Sequence, residues 1–181
     1  MTFLRNAHKA CMRVTFRLLA DRSLAPRVTE EKLHILVPRW DAKLGDSIVS
    51  SFFFREVRKL NARVTVLTVA ELAQMYELDF AVDQVVITNA NPGIYELRRL
   101  AQQIGQVDAV VHLVGRIQPA EILFLRLLRP ASVYSLDDHL RCVNRKFGST
   151  TAGLDIPERY QRVLMDLGVR EVDRTYIVPL P

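Results

Sequence analysis

The chain has 181 residues, 49% of them hydrophobic, and a formal net charge of +5. This length suits one domain with a sizeable core. Residues 1–28 contain six basic side chains and one acidic side chain, so the whole excess charge lies there and residues 29–181 sum to zero. Composition therefore gives no support for a nucleic-acid-binding surface on the globular part.

The leader, residues 1–28, repeats basic residues at a four-residue step: Arg5, Lys9, Arg13 and Arg17. Apolar residues follow on an adjacent stripe, so a helix here would be basic and amphipathic. Such a helix can lie on an anionic membrane surface, with contact predicted through residues 1–20. The alternative is that the stripe packs on the domain or on a partner half. Liposome flotation of the chain with and without residues 1–28 separates the two interpretations.

Targeting signals and cysteine motifs are absent from the sequence. No apolar run approaches the roughly 20 residues that span a bilayer, and the leader lacks the apolar core of a secretory signal peptide. Cys11 and Cys142 lie far apart and match neither a disulfide framework nor a metal motif. The prediction is a cytoplasmic protein with two reduced thiols, peripheral on the inner face of the cytoplasmic membrane if the leader binds lipid.

Strand-like and helix-like segments alternate through residues 29–178. The predicted strands are 33–38, 63–68, 84–87, 108–114 and 131–135. The predicted helices are 46–60, 70–76, 93–104, 117–128 and 157–167, with 138–146 a further helical candidate. This alternation predicts an α/β fold, a parallel sheet with helices on both faces. Tyr176 to Val178 resemble a last strand that enters a proline-bearing linker at 179–181.

The segment between the first strand and the first helix carries the candidate chemistry. Gly45 is expected to allow a tight turn there and to belong to the acceptor-binding residues, and Asp46 to start the helix. Ligands of open α/β sheets bind beyond the carboxyl ends of the strands. A carboxylate at that place can act as a general base, while Arg39 and Lys43 can hold anionic groups. The alternative is that Asp46 only caps its helix.

This segment resembles the N-terminal signature of glycosyltransferase family nine, the family of bacterial lipopolysaccharide heptosyltransferases. The matching residues are Ile35-Leu36-Val37, Arg39, Asp41, Gly45-Asp46, Ile48-Val49 and Ser50-Ser51. The similarity continues through 63–67, 107–113 and 158–168, and covers most of residues 33–181. Two departures stand out. The loop from Arg39 to Asp46 is one residue longer than the usual spacing, and Phe52 stands where the family commonly has proline.

The resemblance implies a Rossmann-like domain that forms the N-terminal, acceptor-binding half of a GT-B type glycosyltransferase. In that family, the residue matching Asp46 is the proposed base of an inverting transfer of heptose from ADP-heptose to a lipopolysaccharide inner-core acceptor. The nucleotide-sugar donor binds the other half, and neither cofactor nor metal is implied. The chain is too short for both halves, so we expect 179–181 to begin an interdomain linker and the chain alone to be inactive.

Other residues and other functions stay open. Arg116, after the fourth strand, could bind an acceptor carboxylate or phosphate, or could be a solvated loop residue. His112 is predicted to be a hydrogen-bonded sheet residue. The rival functions are a non-catalytic domain that binds a membrane or partner through its leader, and a small-ligand or nucleotide-binding module. The second rival lacks both glycine-rich phosphate-binding motifs.

Overall fold

The computed structural model describes Asp21 and residues 32–179. Six parallel strands form one sheet in the order β3-β2-β1-β4-β5-β6. They are β1 (His34–Pro38), β2 (Arg63–Thr68), β3 (Gln84–Ile87), β4 (Ala109–Val111), β5 (Ser132–Ser135) and β6 (Arg145–Lys146). The strand order reverses between β1 and β4, which pair directly. The predicted α/β, Rossmann-like parallel sheet is confirmed.

Helices cover both faces of this sheet. One core holds residues of α1 (Leu44–Val49), α2 (Phe52–Glu56), α3 (Ala70–Gln74) and α6 (Ile156–Leu167). The other core holds residues of α4 (Ile94–Ile104) and α5 (Pro119–Leu128). Strand β1 supplies Ile35 and Val37 to the first core and Leu36 to the second. Because both faces of β1 are buried, its sequence is a continuous apolar run.

The predicted single helix over 46–60 is wrong. It is divided into α1, α2 and a 3₁₀ turn, Val57–Leu60, with a break at Ser50 and Ser51. The Ser50 hydroxyl donates to the carbonyls of Asp46 (2.7 Å) and Ser47 (3.2 Å). Serine hydroxyls that bond back to the preceding turn compete with the backbone and bend helices. A π-helical turn, Met75–Asp79, similarly extends α3.

Two further element predictions are wrong. Residues 138–146 form a loop and the short strand β6. The Asp138 carboxylate accepts the backbone N–H groups of Gly148 and Ser149, which stabilises a turn. Residues 176–178 form no strand, and side chains bind the backbone at and just before them. Ile177 N–H donates to the Ser51 hydroxyl at 2.7 Å, and Arg55 donates to the carbonyls of residues 173 and 175.

The predicted leader lies outside the described residues except for Asp21. That side chain is buried, and its carboxylate accepts the backbone N–H of Cys142 at 2.7 Å. Burial raises the pKa of the Cys142 thiol to about 12, and the charge of Asp21 adds to the effect. At position 21, therefore, the leader packs on the domain.

Candidate functional site

A cavity of about 380 Å³ opens at the carboxyl end of the sheet, where β1 and β4 meet. Its walls come from the end of β1 and the segment after it, the first turn of α1, the segments after β4 and β5, and the beginnings of α5 and α6. The polar and aromatic residues among them are Arg39, Trp40, Asp41, Lys43, Asp46, His112, Glu121, Arg159 and Tyr160. In open α/β sheets the point where the strand order reverses is where ligands bind. The cavity is at that point.

Asp46 lies on the wall of this cavity and is partly exposed. It is the third residue of α1, which begins at Leu44 after Lys43, so Asp46 is not the N-cap. No described residue donates a hydrogen bond to its carboxylate. The alternative that Asp46 only caps its helix is therefore wrong in its geometry, although a carboxylate in a first helical turn still interacts favourably with the helix dipole. The carboxylate is available to a ligand.

Lys43 stands at the exposed rim of the cavity. Its ammonium lies 3.1 Å from the Asp41 carboxylate. The hydrogen bond and charge of Asp41, followed by the charge of Asp46, raise the pKa of Lys43. An exposed pair of this kind contributes little to stability, so Lys43 can exchange Asp41 for an anionic ligand at small cost.

Gly45 and Arg116 are placed differently from expectation. Gly45 lies inside α1 without a positive φ, so it does not provide the tight turn that its sequence position suggested. A Cβ at Gly45 would meet no atom within 4 Å. Arg116 is exposed and lies outside the set of residues that line the cavity in the described part of the chain.

Arg39 is held rigidly at the end of β1. One terminal nitrogen of its guanidinium donates to the Ser50 hydroxyl at 2.6 Å, and the group lies 5.5 Å from the centre of the Tyr160 ring. Burial by itself would lower the pKa of Arg39, but the surrounding tyrosines and the carboxylates of Asp41 and Asp46 raise it on balance. Its Nε is buried without a hydrogen-bond partner. Arg39 thus presents a fixed cation with an unused donor.

A buried hydrogen-bond chain supports α1 from below. The Tyr76 hydroxyl donates to Ser47 Oγ at 2.8 Å, and the Ser47 hydroxyl donates to the Lys43 carbonyl at 3.1 Å. Burial raises the pKa of Tyr76, so the phenol stays neutral and keeps its proton for this bond. These two hydrogen bonds fix the first turn of α1 and therefore the backbone that carries Asp46.

Unpartnered polar atoms concentrate around the cavity. Five buried side-chain nitrogen or oxygen atoms of the described residues lack a hydrogen bond. Four of them belong to cavity residues: Arg39 Nε, Trp40 Nε1, His112 Nε2 and Arg159 Nε. The fifth, Thr68 Oγ1, is at the carboxyl end of the neighbouring strand β2. Because buried polar groups in native proteins are nearly always paired, such a concentration indicates that water or a ligand binds here.

Six polar or aromatic cavity residues were not predicted as site residues from the sequence: Trp40, Asp41, His112, Glu121, Arg159 and Tyr160. Trp40 directly follows Arg39, and His112 directly follows β4. Their positions after two neighbouring strands were the signal that could have identified them. Glu121 and Arg159 lie in the first turns of α5 and α6, where no pattern distinguishes them from solvent-facing charges. The prediction that His112 is a hydrogen-bonded sheet residue is wrong for its side chain, although its backbone N–H donates to the Tyr134 carbonyl.

The acidic pair in the loop after β5 has a structural role. Asp137 accepts the backbone N–H of Ile117 at 3.0 Å, and Asp138 binds the turn described above. Within residues 32–179 and at Asp21, no cluster of three or more histidine, cysteine or acidic residues has the arrangement of a metal site. No helix of the described part of the chain is long and apolar enough to span a membrane.

One solved structure with this fold is a glycosyl transferase of family 9 from Veillonella parvula DSM 2008. The two chains are 20% identical with a TM-score of 0.57 over 83% of this chain and 45% of the other. This chain therefore spans less than half the length of that protein. No protein-family model matches the sequence, and no curated protein matches it. At this identity the likeness shows a shared fold.

Proposed function

We propose that this chain is the acceptor-binding half of a glycosyltransferase, with Asp46 as the general base. The observation that carries the proposal is the position of Asp46. Its carboxylate accepts no hydrogen bond from the described residues, yet it lines a cavity at the reversal point of the sheet. The shared fold with a family 9 glycosyl transferase supports the same interpretation, because the cavity lies where that fold class binds ligands.

In the proposed reaction, the acceptor-binding half has to accept one proton. As the acceptor hydroxyl oxygen forms its bond to the anomeric carbon of the donor sugar, Asp46 takes the hydroxyl proton. The bond from that carbon to the nucleotide phosphate breaks, and the nucleoside diphosphate leaves with the electron pair. Attack from the face opposite the leaving group inverts the anomeric centre. A positioned base of this kind contributes roughly 10²- to 10⁴-fold to the rate.

The finer proposal concerns the two sugars. From the resemblance to heptosyltransferases, we propose that the donor is ADP-heptose, bound by a second half, and that the acceptor is a lipopolysaccharide inner-core sugar. Three basic residues, Arg39, Lys43 and Arg159, line the cavity together with Asp41, Asp46 and Glu121. The basic side chains support an acceptor that carries an anionic group. Arginine binds carboxylate and phosphate groups in two-point geometry. Arg116, at the exposed end of the loop after β4, remains a proposed contact for a larger acceptor.

The decisive test is Asp46→Asn in a protein that joins this chain to a donor-binding half. We expect kcat to fall by about 10²- to 10⁴-fold, with a smaller change in the KM of the acceptor, because the amide binds but takes no proton. The matched control is Glu71→Gln. Glu71 is also an acidic residue in a first helical turn, but it is exposed on α3 and outside the cavity.

Two outcomes would contradict the proposal. Transfer at an undiminished kcat in Asp46→Asn would remove Asp46 from the role of base. Tight ADP binding by the present chain alone would contradict the assigned division between acceptor and donor halves, and would favour the nucleotide-binding alternative.

A further inference from the structure

The wall of the cavity that faces α5 differs in chemistry from the wall that carries Arg39 and Lys43. It presents Trp40, His112 and Glu121, and we call these three residues the hydroxyl wall. Trp40 Nε1 and His112 Nε2 are two of the unpartnered buried atoms. Glu121 supplies carboxylate oxygens beside them. The wall thus combines an unused N–H donor, an unused imidazole nitrogen and an acceptor.

Packing fixes each member of the hydroxyl wall before any ligand arrives. The Trp40 ring packs edge-on against Phe124 of α5, with 5.4 Å between ring centres. Glu121 accepts the backbone N–H of Gln118 in a reciprocal capping box at the start of α5. His112 is 4% exposed, and its backbone is bonded to β5. Rigid groups bind a ligand with little loss of side-chain entropy.

The pair of His112 and Glu121 is incomplete by itself. Their nearest atoms, Nε2 and Oε2, are 3.5 Å apart, and the contact lacks hydrogen-bond geometry. A buried imidazole nitrogen without a partner is costly, so a group that bonds to both side chains would be bound favourably. An alcohol can do so, since its hydroxyl both donates to a carboxylate and accepts from an N–H.

We propose that the hydroxyl wall is a specificity-determining subsite for the neutral, hydroxyl-bearing ring of the acceptor sugar. One hydroxyl donates to the Glu121 carboxylate and accepts from His112 Nε2, and a neighbouring hydroxyl accepts from Trp40 Nε1. The anionic substituent of the same sugar binds Arg39 and Lys43, on the wall that also carries Asp46. This inference rests on the proposed function, and it adds that the acceptor must carry hydroxyls and an anion on separate sides.

Three probes separate the two walls when added to the isotope-labelled chain and followed by NMR. They are methyl α-mannopyranoside, inorganic phosphate and mannose 6-phosphate. We expect the neutral glycoside to shift the Trp40 indole and His112 ring signals, and phosphate to shift the Arg39 guanidinium signals. Mannose 6-phosphate should shift both sets and bind more tightly than either simpler probe. The exposed His139 ring, away from the cavity, serves as the internal control.

Trp40→Phe and Glu121→Gln test the wall without removing its packing. Phenylalanine keeps an aromatic contact with Phe124, and glutamine can replace glutamate in a capping box. Each variant should weaken methyl α-mannopyranoside about fivefold or more, the loss expected for one hydrogen bond, and leave phosphate affinity unchanged. Glu158→Gln is the matched control, because Glu158 occupies the same capping-box position in α6 but does not line this cavity.

The titrations separate failure of the hydroxyl wall from failure of the proposed acceptor-binding function. If both wall variants bind the glycoside as the unaltered chain does, while Arg39→Gln weakens mannose 6-phosphate, the hydroxyl wall is overturned and the acceptor site stands. If neither the glycoside nor the sugar phosphate binds at high millimolar concentration, the acceptor-binding function fails and the wall fails with it.

Discussion

The two ends of the sheet differ in how their buried polar groups are paired. At the amino end, His34 begins β1 and both of its ring nitrogens are bonded, Nδ1 to the Gln106 carbonyl (2.7 Å) and Nε2 to the Thr65 hydroxyl (2.8 Å). Its backbone N–H donates to the Asp108 carboxylate at 2.8 Å. At the carboxyl end, His112 follows β4, and its Nε2 lies 3.5 Å from the Glu121 carboxylate without a hydrogen bond. The two histidines are almost equally buried.

This difference separates residues that hold the fold from residues that await a ligand. A completed buried network stabilises the native state, whereas an incomplete one costs stability and persists where function requires it. The amino end joins β1, β2 and the start of β4 through side chains. At the carboxyl end, four buried polar atoms without a hydrogen bond belong to residues that line a cavity. The same residue type is structural at one end and available for binding at the other.

The largest expected effect is the difference in the free energy of unfolding when histidine is replaced by leucine at one end of the sheet or at the other. His34→Leu should lower the free energy of unfolding by about 2–3 kcal/mol, because the Gln106 carbonyl and the Thr65 hydroxyl each lose a buried partner. His112→Leu should change it by less than about 1 kcal/mol, in the stabilising direction, because it removes an unsatisfied buried group. Urea unfolding with unchanged m values measures both. Equal losses at the two sites would remove the distinction between the ends.

The pH dependence of the free energy of unfolding should reflect the titration of His34 at the amino end of the sheet. Burial lowers the pKa of His34 and the charge of Arg63 adds to this, while the Gln106 hydrogen bond and the charges of Asp108 and Asp83 oppose it. The unfolded chain, with an ordinary histidine pKa of 6.5, therefore binds a proton at His34 before the folded chain does. Stability should be unaffected by this group well above pH 6.5 and should fall as pH drops below about 6.5.

His34→Leu should flatten that slope, and a substitution at the exposed His139 should retain it. Carboxylates act in a separate, lower window. Burial alone would raise the pKa of Glu56, but its bonds from Lys59, Arg55 and the Asp173 N–H lower it below its ordinary 4.5. Its stabilising contribution is therefore lost only as pH falls below about 4.5. An unchanged slope just below pH 6.5 in His34→Leu would show that His34 is not its source.

The sequence predicted the sheet and the long helices because periodicity and helix-end residues report on them. Helices α4, α5 and α6 begin within two residues of prediction, at turns marked by glycine or proline. The two-residue strand β6 was missed, since its pairing with β5 leaves no pattern in so short a segment. The break in the helix after Asp46 was missed because it depends on serine hydroxyls that bond within the helix itself.

The candidate site was predicted only in part. Arg39, Lys43 and Asp46 are close in sequence, so a local motif could indicate them. The residues of the hydroxyl wall come from the segments after β1 and β4 and from α5. No local sequence pattern indicates that these three places are close together in the fold. His34 and His112 illustrate the limit, because each stands among apolar residues in the sequence. Only tertiary structure shows that one is fully bonded and the other is not.

The smallest expected effect concerns Gly45. Its helical backbone has no positive φ and a Cβ would meet no atom, so neither conformation nor packing requires glycine. Gly45→Ala should therefore stabilise the domain by about 0.5 kcal/mol. The remaining physical reason for glycine is close approach of a ligand to the backbone beside Asp46.

On that argument Gly45→Ala should also weaken binding of mannose 6-phosphate, measured by the same NMR titration, even as it raises stability. Neither Gly45 nor Leu44 lines the cavity, so the substitution tests whether the acceptor extends beyond it over this turn. Leu44→Ala is the control for a change on the same turn, because Leu44 is half-exposed there. A more stable Gly45→Ala protein with unaltered affinity would mean that the acceptor does not pass over this turn. The first turn of α1 would then contribute only the Asp46 carboxylate to the site. The backbone at Gly45 would not be part of the acceptor-binding surface.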